Sequence, residues 1–438
     1  MTMSAHLRPL RHAALALAAL STLGVARAQT VPELQALAAR EQPALLKTLQ
    51  QLVEIESGSS DRAGLDRIAG VIAQRLRELG GQVDLIDPGK TIASPSSDAG
   101  DGPAKVGQMV KATFKGAAAN GKRVLLIAHM DTVYQRGMLA QQPFRIDGPR
   151  AYGLGIADDK QGVATILHLI AMLKAVNFRD FGEITVLING DEEIGSPGSH
   201  PTITKFGAEH DAVLSFEGGG GPSGADTLRL ATSGIAAATL TVKGRSSHAG
   251  AAPERGVNAL YEMAHQVLQM RDLSDPKNGK QLHWTMAKAG SVRNAIPAQA
   301  EAFADVRADK VADFEGMEAE LRKRIQNKLL PESEVTLAFR LGRPPLQATE
   351  ASRALAARAK ALAAEQQLEL VVRDVPTGGG TDAAYAALST RAPVIEGMGV
   401  RGFGAHSSDS EYVVLDSIAP KLVLATRLIM AIGSGKAP

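Results

Sequence analysis

The stretches VLLIAHMDTV (Val124–Val133) and EITVLING (Glu183–Gly190) decide the fold class. Each is a short, nearly continuous apolar run, and between them lies the helical pattern Gly162 to Leu173. Runs of this length without alternation read as strands covered on both faces, the signature of a mostly parallel sheet with packed helices. The expected architecture is therefore an α/β domain. Two helical patterns (Pro32 to Leu52 and Gly64 to Leu79) and strand-like runs at Gln82 to Ile86 and Gln108 to Phe114 precede it. The segment Pro88 to Pro103, rich in Gly, Ser, Pro and Asp, reads as an exposed loop.

After Glu217 the glycine-rich GGGGPSGAD suits no regular element, and the pattern changes. From about Ser233 to Gly342 the order is strand (AAATLTVKG), helix (Gly256 to Met270), strand (HWTMAKAG), strand (AEAFADVRA), helix (Val311 to Leu329) and strand (EVTLAFRLG). Two helices on one face of a four-stranded antiparallel sheet satisfy that order, and they form an inserted α+β domain. Helix–strand alternation then resumes with Ser352 to Ala364, a short helix after Gly380, PVIEGM and a closing helix Ile418 to Ile432. The expected division is 1–28, then 29–232 with 344–438 as one α/β domain, and 233–343 as the inserted domain.

The first 28 residues carry Arg8 and Arg11, an apolar run Ala13 to Ala26 too short to span a bilayer, and Ala26-Arg27-Ala28 before Gln29. That is the form of a secretory signal peptide with a small-x-small cleavage site. Its three Arg account for more than the whole excess of 48 basic over 46 acidic residues, so the mature chain carries no basic surplus to attract nucleic acid. No cysteine is present in the 438 residues, so an exported product relies on its core rather than on disulfides. With no second spanning segment, no membrane association is expected after cleavage, and the periplasm or exterior is the expected location.

Chemistry-bearing residues sit at strand ends and loops. His129 and Asp131 close the run VLLIAHMD, where side chains of an open α/β sheet reach its active-site crevice. His129 can hold a metal while Asp131 orients a neighbour. In YGLGIADDKQG, Asp158 suits a bridge between two cations, and Asp159 is left as the cap of the following helix. Glu192 and Glu193 are adjacent in NGDEEIGSPGS, and leaving the strand at a turn lets one bind metal while the other stays free as a base. By local sequence the two are interchangeable. Glu217 ends AVLSFEG, and His406 lies in GFGAHSSDSEY. Together these supply a bridge, two imidazoles and two terminal carboxylates, a donor set for two cations with room for water.

In order along the chain, AHMDTV, GIADDKQG, NGDEEIGSPGS, SFEG, GRSSHAGAAPERGVNAL, RNAIPAQAEAFADVR, TGGGTDAAYAAL and GFGAHSSDSEY resemble the dinuclear zinc hydrolases. That family includes aminoacylases, succinyl-diaminopimelate desuccinylase and bacterial glutamate carboxypeptidase, and the resemblance is strongest to the last. It implies two Zn2+ per subunit, with Co2+ or Mn2+ as substitutes: one on Asp158, Glu193 and His406, the other on Asp158, His129 and Glu217. It implies Glu192 as general base, Asp131 as the residue that orients the site, and His248 of SSHAG as a group that reaches across a homodimer interface to polarise the substrate carbonyl. It implies Asn294, Arg307, Arg343, Thr377 and Gly380 as substrate-binding residues. Arg307 could alternatively pair with Asp305 or Asp309.

The implied reaction is release of a C-terminal amino acid, glutamate first, from an N-acyl or folate-like substrate. An aminoacylase or dipeptidase of the same family is the alternative, and an inactive periplasmic binding protein a remote one. One departure bears on the choice. Glutamate carboxypeptidase has a lysine soon after the residue matching Glu217 that helps hold the glutamate side chain, whereas Gly218 to Leu228 has no basic residue.

Overall fold

The computed structural model describes residues 1–2, 30–88, 91–92, 103–104, 106–221, 224–407 and 409–437. The expected signal peptide and most of the loop expected from Pro88 to Pro103 lie outside these residues.

The central sheet has six strands in the order Gln82–Ile86, Met109–Lys115, Glu183–Asn189, Arg123–His129, Ala212–Ser215 and Val394–Ile395. The last four pair in parallel, and the first two add an antiparallel edge. Arg123–His129 is central, and alternate residues serve opposite faces, as strand geometry requires. Val124, Leu126 and Ala128 pack into the large core formed with helices Val31–Val53, Arg62–Glu78, Gln161–Ala175 and Ile418–Gly433. Leu125 and Ile127 pack into a second cluster with Ile203, Ala383 and Tyr385. Helices on both faces explain why the strand is apolar throughout.

Helix Val31–Val53 begins at a capping box, Thr30 with Glu33, and buries Leu34, Leu45, Leu49 and Leu52 at helical spacing. Among the described residues, no helix is long and apolar enough to cross a membrane.

The inserted α+β unit has four antiparallel strands in the order Lys280–Ala289, Gln299–Ala308, Gly234–Lys243 and Glu334–Leu341. Gly234–Lys243 alternates buried and half-buried residues almost without exception. Its inward Ala236, Leu240 and Val242 meet Met263 of helix Ala259–Gln269 and Phe314, Met317 and Leu321 of helix Val311–Arg324, which places both helices on one face. The second helix stops at Arg324 rather than the expected Leu329. The N–H groups of Leu329 and Leu330 donate instead to the buried Glu262 carboxylate (3.3 and 2.6 Å), so this segment bonds to the other helix. The first helix starts at Ala259, later than the expected Gly256, because Asn258 caps it.

A further sheet escapes the sequence pattern. Gly402–Phe403, Tyr412–Val414, Arg150–Tyr152 and Arg145–Asp147 form a small antiparallel sheet, with Tyr412 opposite Tyr152. Its strands are two or three residues long, below the length at which alternation is legible. This pairing sets the loop containing His406 beside the loop that follows Tyr152.

Candidate metal centre

Three loops at the C-terminal ends of the parallel strands converge with the turn that enters helix Gln161–Ala175 and with the His406 loop. His129 is the last residue of its strand, and Glu217 lies just beyond Ala212–Ser215. Glu192 and Glu193 occupy a short helical turn, Glu192–Ile194, after Glu183–Asn189. Asp158 sits in an irregular turn, Ile156–Lys160, entered through Gly155. Gly155 has φ +69°, and a Cβ there would lie 2.3 Å from Thr132 Cγ2, so the tight approach needs glycine.

The two oxygens of Asp158 face two different imidazoles. Oδ1 is 2.9 Å from His129 Nε2, and Oδ2 is 3.3 Å from His406 Nε2. His129 Nε2 is also 3.3 Å from Glu217 Oε1, and His406 Nε2 is 3.1 Å from Glu193 Oε2. Five residues expected from sequence thus form two triads, His129/Asp158/Glu217 and His406/Asp158/Glu193, that share one carboxylate. His129 is buried, whereas His406 remains half exposed on the open side. Behind them Asp131, fully buried, accepts from the N–H groups of Glu192 and Glu193 (both 3.1 Å) and from Ser59 Oγ (2.7 Å), and lies 3.3 Å from His129 Nδ1.

Asp159 differs from expectation. It does not cap helix Gln161–Ala175, whose capping position is Lys160 without a side-chain cap. Its buried carboxylate turns inward, accepting from Gln161 Nε2 (2.6 Å) and the His129 N–H (3.4 Å). It falls within ligand range of His129 and Glu217 as well. Gln161 already engages it, so Asp158, which faces both imidazoles, is the better bridge. The Asp-Asp pair was the signal for this second inward carboxylate, but two adjacent acids at a helix start resemble a cap.

The electrostatics fit a cation. Burial, with the charge of Asp158, pushes the Glu193 and Glu217 carboxyls up to about 8. Hydrogen bonds to Asp158 and Glu193 raise His406 to about 10. Burial alone would raise Asp158, but hydrogen bonds from His129 and His406 hold it well below the usual carboxylate range. Glu193 Oε1 is buried with no hydrogen-bond partner. An orphaned carboxylate oxygen beside crowded acids and two imidazoles is the donor chemistry of a divalent metal, whose charge would replace the protons.

That replacement predicts a pH effect. At pH 7 metal-free Glu193, Glu217 and His406 are largely protonated, so metal uptake must release protons and affinity must rise with pH. Calorimetry at pH 7 in buffers of different ionisation enthalpy should register release of about two or more protons per protein; uptake without release would contradict the assignment. The same shifts stabilise the metal-free fold below the unfolded-state pKa values, and that contribution is lost as pH rises through about 8 for the glutamates and about 10 for His406.

The remaining expected residues divide. Arg343 is buried beside Glu192, forming an ion pair with its carboxylate and donating from Nη2 to its carbonyl (2.7 Å). Burial pushes the Glu192 carboxyl up, with Arg343 opposing. Arg307 is held by Asp305 (Nε to its carboxylate, 2.9 and 3.0 Å) and donates from Nη1 to the Gly378 carbonyl (3.0 Å), so the expected pair with Asp305 is present.

Thr377 and Gly380 line a cavity of about 270 Å3 whose walls include Asp158, Glu217, Arg229 and Glu396. A Cβ at Gly380 would meet Arg343 Cδ at 2.9 Å, so glycine makes room for that arginine. Arg229 donates to the carbonyls of Gly218 (3.0 Å) and Gly220 (3.1 Å), bracing the glycine-rich wall. Asn294 and His248 lie on neighbouring segments of the inserted unit, both exposed. His248 Nδ1 accepts from the N–H groups of Gly250 (3.1 Å) and Ala251 (3.0 Å), capping its own loop.

Residues 125–431 match the model of peptidase family M20/M25/M40. The chain is 45% identical over 396 residues to carboxypeptidase G2 of Pseudomonas sp. (strain RS-16), covering 90% of this chain and 91% of that one. Its fold is similar to aminopeptidase PepT from Bacillus cereus (TM-score 0.71, 20% identity, 89% of this chain and 98% of that one). It is also similar to an M20 family metallo-carboxypeptidase from Sulfolobus solfataricus (TM-score 0.67, 18% identity, 89% and 99%).

Proposed function

From the premise that this chain belongs to peptidase family M20/M25/M40, a family of metallopeptidases, we propose that it is a two-zinc carboxypeptidase releasing a C-terminal amino acid, glutamate first, from N-acyl or folate-like substrates. The observation that carries the reading is the Asp158 carboxylate, one oxygen toward His129 and the other toward His406. Co2+ or Mn2+ could replace Zn2+ in this donor set. When bound, the ions polarise the scissile carbonyl and lower the pKa of the attacking water toward about 7.

The chain's own residues do the rest. Glu192 accepts the proton of the attacking water and returns it to the leaving amine, a task suited to a carboxylate whose pKa burial has raised. Asp131 fixes the Glu192–Glu193 turn through both N–H groups and orients His129. Arg343, whose planar fork matches a carboxylate, exchanges Glu192 for the substrate's free carboxylate and so releases the base. Thr377 and Gly380 line the pocket, Arg307 joins them through the Gly378 carbonyl, and Asn294, exposed beside His248, would reach the substrate from the second subunit. His248 acts from the second subunit of a homodimer, stabilising the developing oxyanion, which agrees with its exposure and with side-chain hydrogen bonds confined to its own loop. In this reading residues 1–28 are a signal peptide removed on export to the periplasm or exterior, 233–343 form the dimerisation/lid domain, and 29–232 with 344–438 the catalytic domain.

A second reading, an aminoacylase or dipeptidase with another amino-acid preference, draws on a specific observation. Arg229, the basic residue on this wall, is engaged by the carbonyls of Gly218 and Gly220, and the buried Glu396 carboxylate lines the same cavity. A hydrolysis screen of N-acyl glutamate, aspartate and apolar amino acids, with and without chelator, separates the two. Chelator-sensitive hydrolysis fastest for glutamate is expected. Fastest release of apolar residues would move the assignment to the aminoacylases, and chelator-insensitive hydrolysis would remove the metal reading.

A further inference from the structure

Glu411 is nearly fully buried, belongs to the same loop as His406, and supplies no atom to either triad. Its carboxylate collects four donors. Oε1 accepts from the N–H groups of Ala157 (2.7 Å) and Asp158 (3.1 Å), while Oε2 accepts from the N–H of Gly155 (3.0 Å) and from the Tyr134 hydroxyl. Tyr134 is itself buried. Three of these donors are the backbone of the turn that presents Asp158.

Burying a carboxylate beside other carboxylates is unfavourable unless its hydrogen bonds fix something. Here they fix two things. The turn Gly155–Asp158 is irregular, lacks a helical ladder over these N–H groups, and would otherwise leave them unpaired in a buried setting. The chain that carries Glu411 also carries His406, so one side chain joins the bridging carboxylate's loop to a histidine's loop.

We propose that Glu411 is a positioning residue for the metal centre. By clamping the Gly155–Asp158 turn to the His406 loop it aims the two Asp158 oxygens at His129 and His406. Its negative charge adds to the field that attracts a cation. The proposal rests on the metal-centre reading above.

The test is a Co2+ titration of chelator-stripped full-length protein, followed by visible absorption, with thermal midpoints measured before and after loading. For Glu411→Gln, which keeps the shape but sets an NH2 among N–H donors, Co2+ affinity should fall about 10–100-fold. The metal-free midpoint should fall, because a buried turn N–H loses its acceptor, the further rise on loading should shrink, and activity should largely return at saturating Co2+. Glu411→Asp, with the charge but not the reach, should also bind more weakly, and it decides the matter if the Gln variant does not fold. A folded variant with native Co2+ affinity overturns the clamp alone. Wild-type protein that takes up no Co2+ overturns the metal-centre reading and the clamp with it.

Discussion

Replacing Glu192 by Gln is expected to lower kcat by about 10²- to 10⁴-fold while the protein keeps its metal, because general acid–base catalysis contributes on that scale. The amide preserves the volume of the carboxyl and its approach to Arg343, but it cannot take a proton. Glu192 belongs to neither imidazole triad, so the ligand set around Asp158 is left intact. The measurement pairs steady-state rates with metal content by elemental analysis. Retained activity would remove Glu192 from its proposed role, and simultaneous loss of metal would make it a ligand instead.

Asp158→Asn has an effect at least as large by a different route. Its carboxylate is shared by both triads, so its loss weakens both halves at once. On the two-zinc proposal, metal content should fall from two ions to at most one. Several kcal/mol of transition-state stabilisation from metal should go with it, which is about 10³-fold or more in rate. A variant with two tightly held ions and near-native turnover would exclude Asp158 as the bridge and turn attention to Asp159.

The α/β layering was readable because covered strands demand apolar residues on both faces: Val124 to Ala128 serve two separate cores, and no alternation interrupts them. The inserted sheet was readable for the opposite reason, since the alternation in Gly234–Lys243 marks one covered face. Convergence at the centre was partly readable, because strand ends of such a sheet share a crevice. Glu411 is absent from the sequence reading, and Asp159 enters it only as a cap, because what distinguishes them is which backbone N–H or side chain they meet in the fold. Neither acid differs in local pattern from a solvated one. Arg343 reads from sequence as a substrate group, and its ion pair with Glu192 is not legible there, because that partner lies 151 residues away in the chain. The early end of helix Val311–Arg324 has the same origin, a distant Glu262 competing for its backbone.

The arrangement also orders events in time. Glu193 and His406 meet across 213 positions, and Tyr134 and Glu411 across 277. Ribosomes deliver such partners many seconds apart at about 5–20 residues per second. A growing polypeptide that has emitted its whole central sheet still lacks the second triad and the clamp on the first. The second triad, and with it hydrolytic competence, is therefore completed only when nearly the final stretch has emerged and folded back.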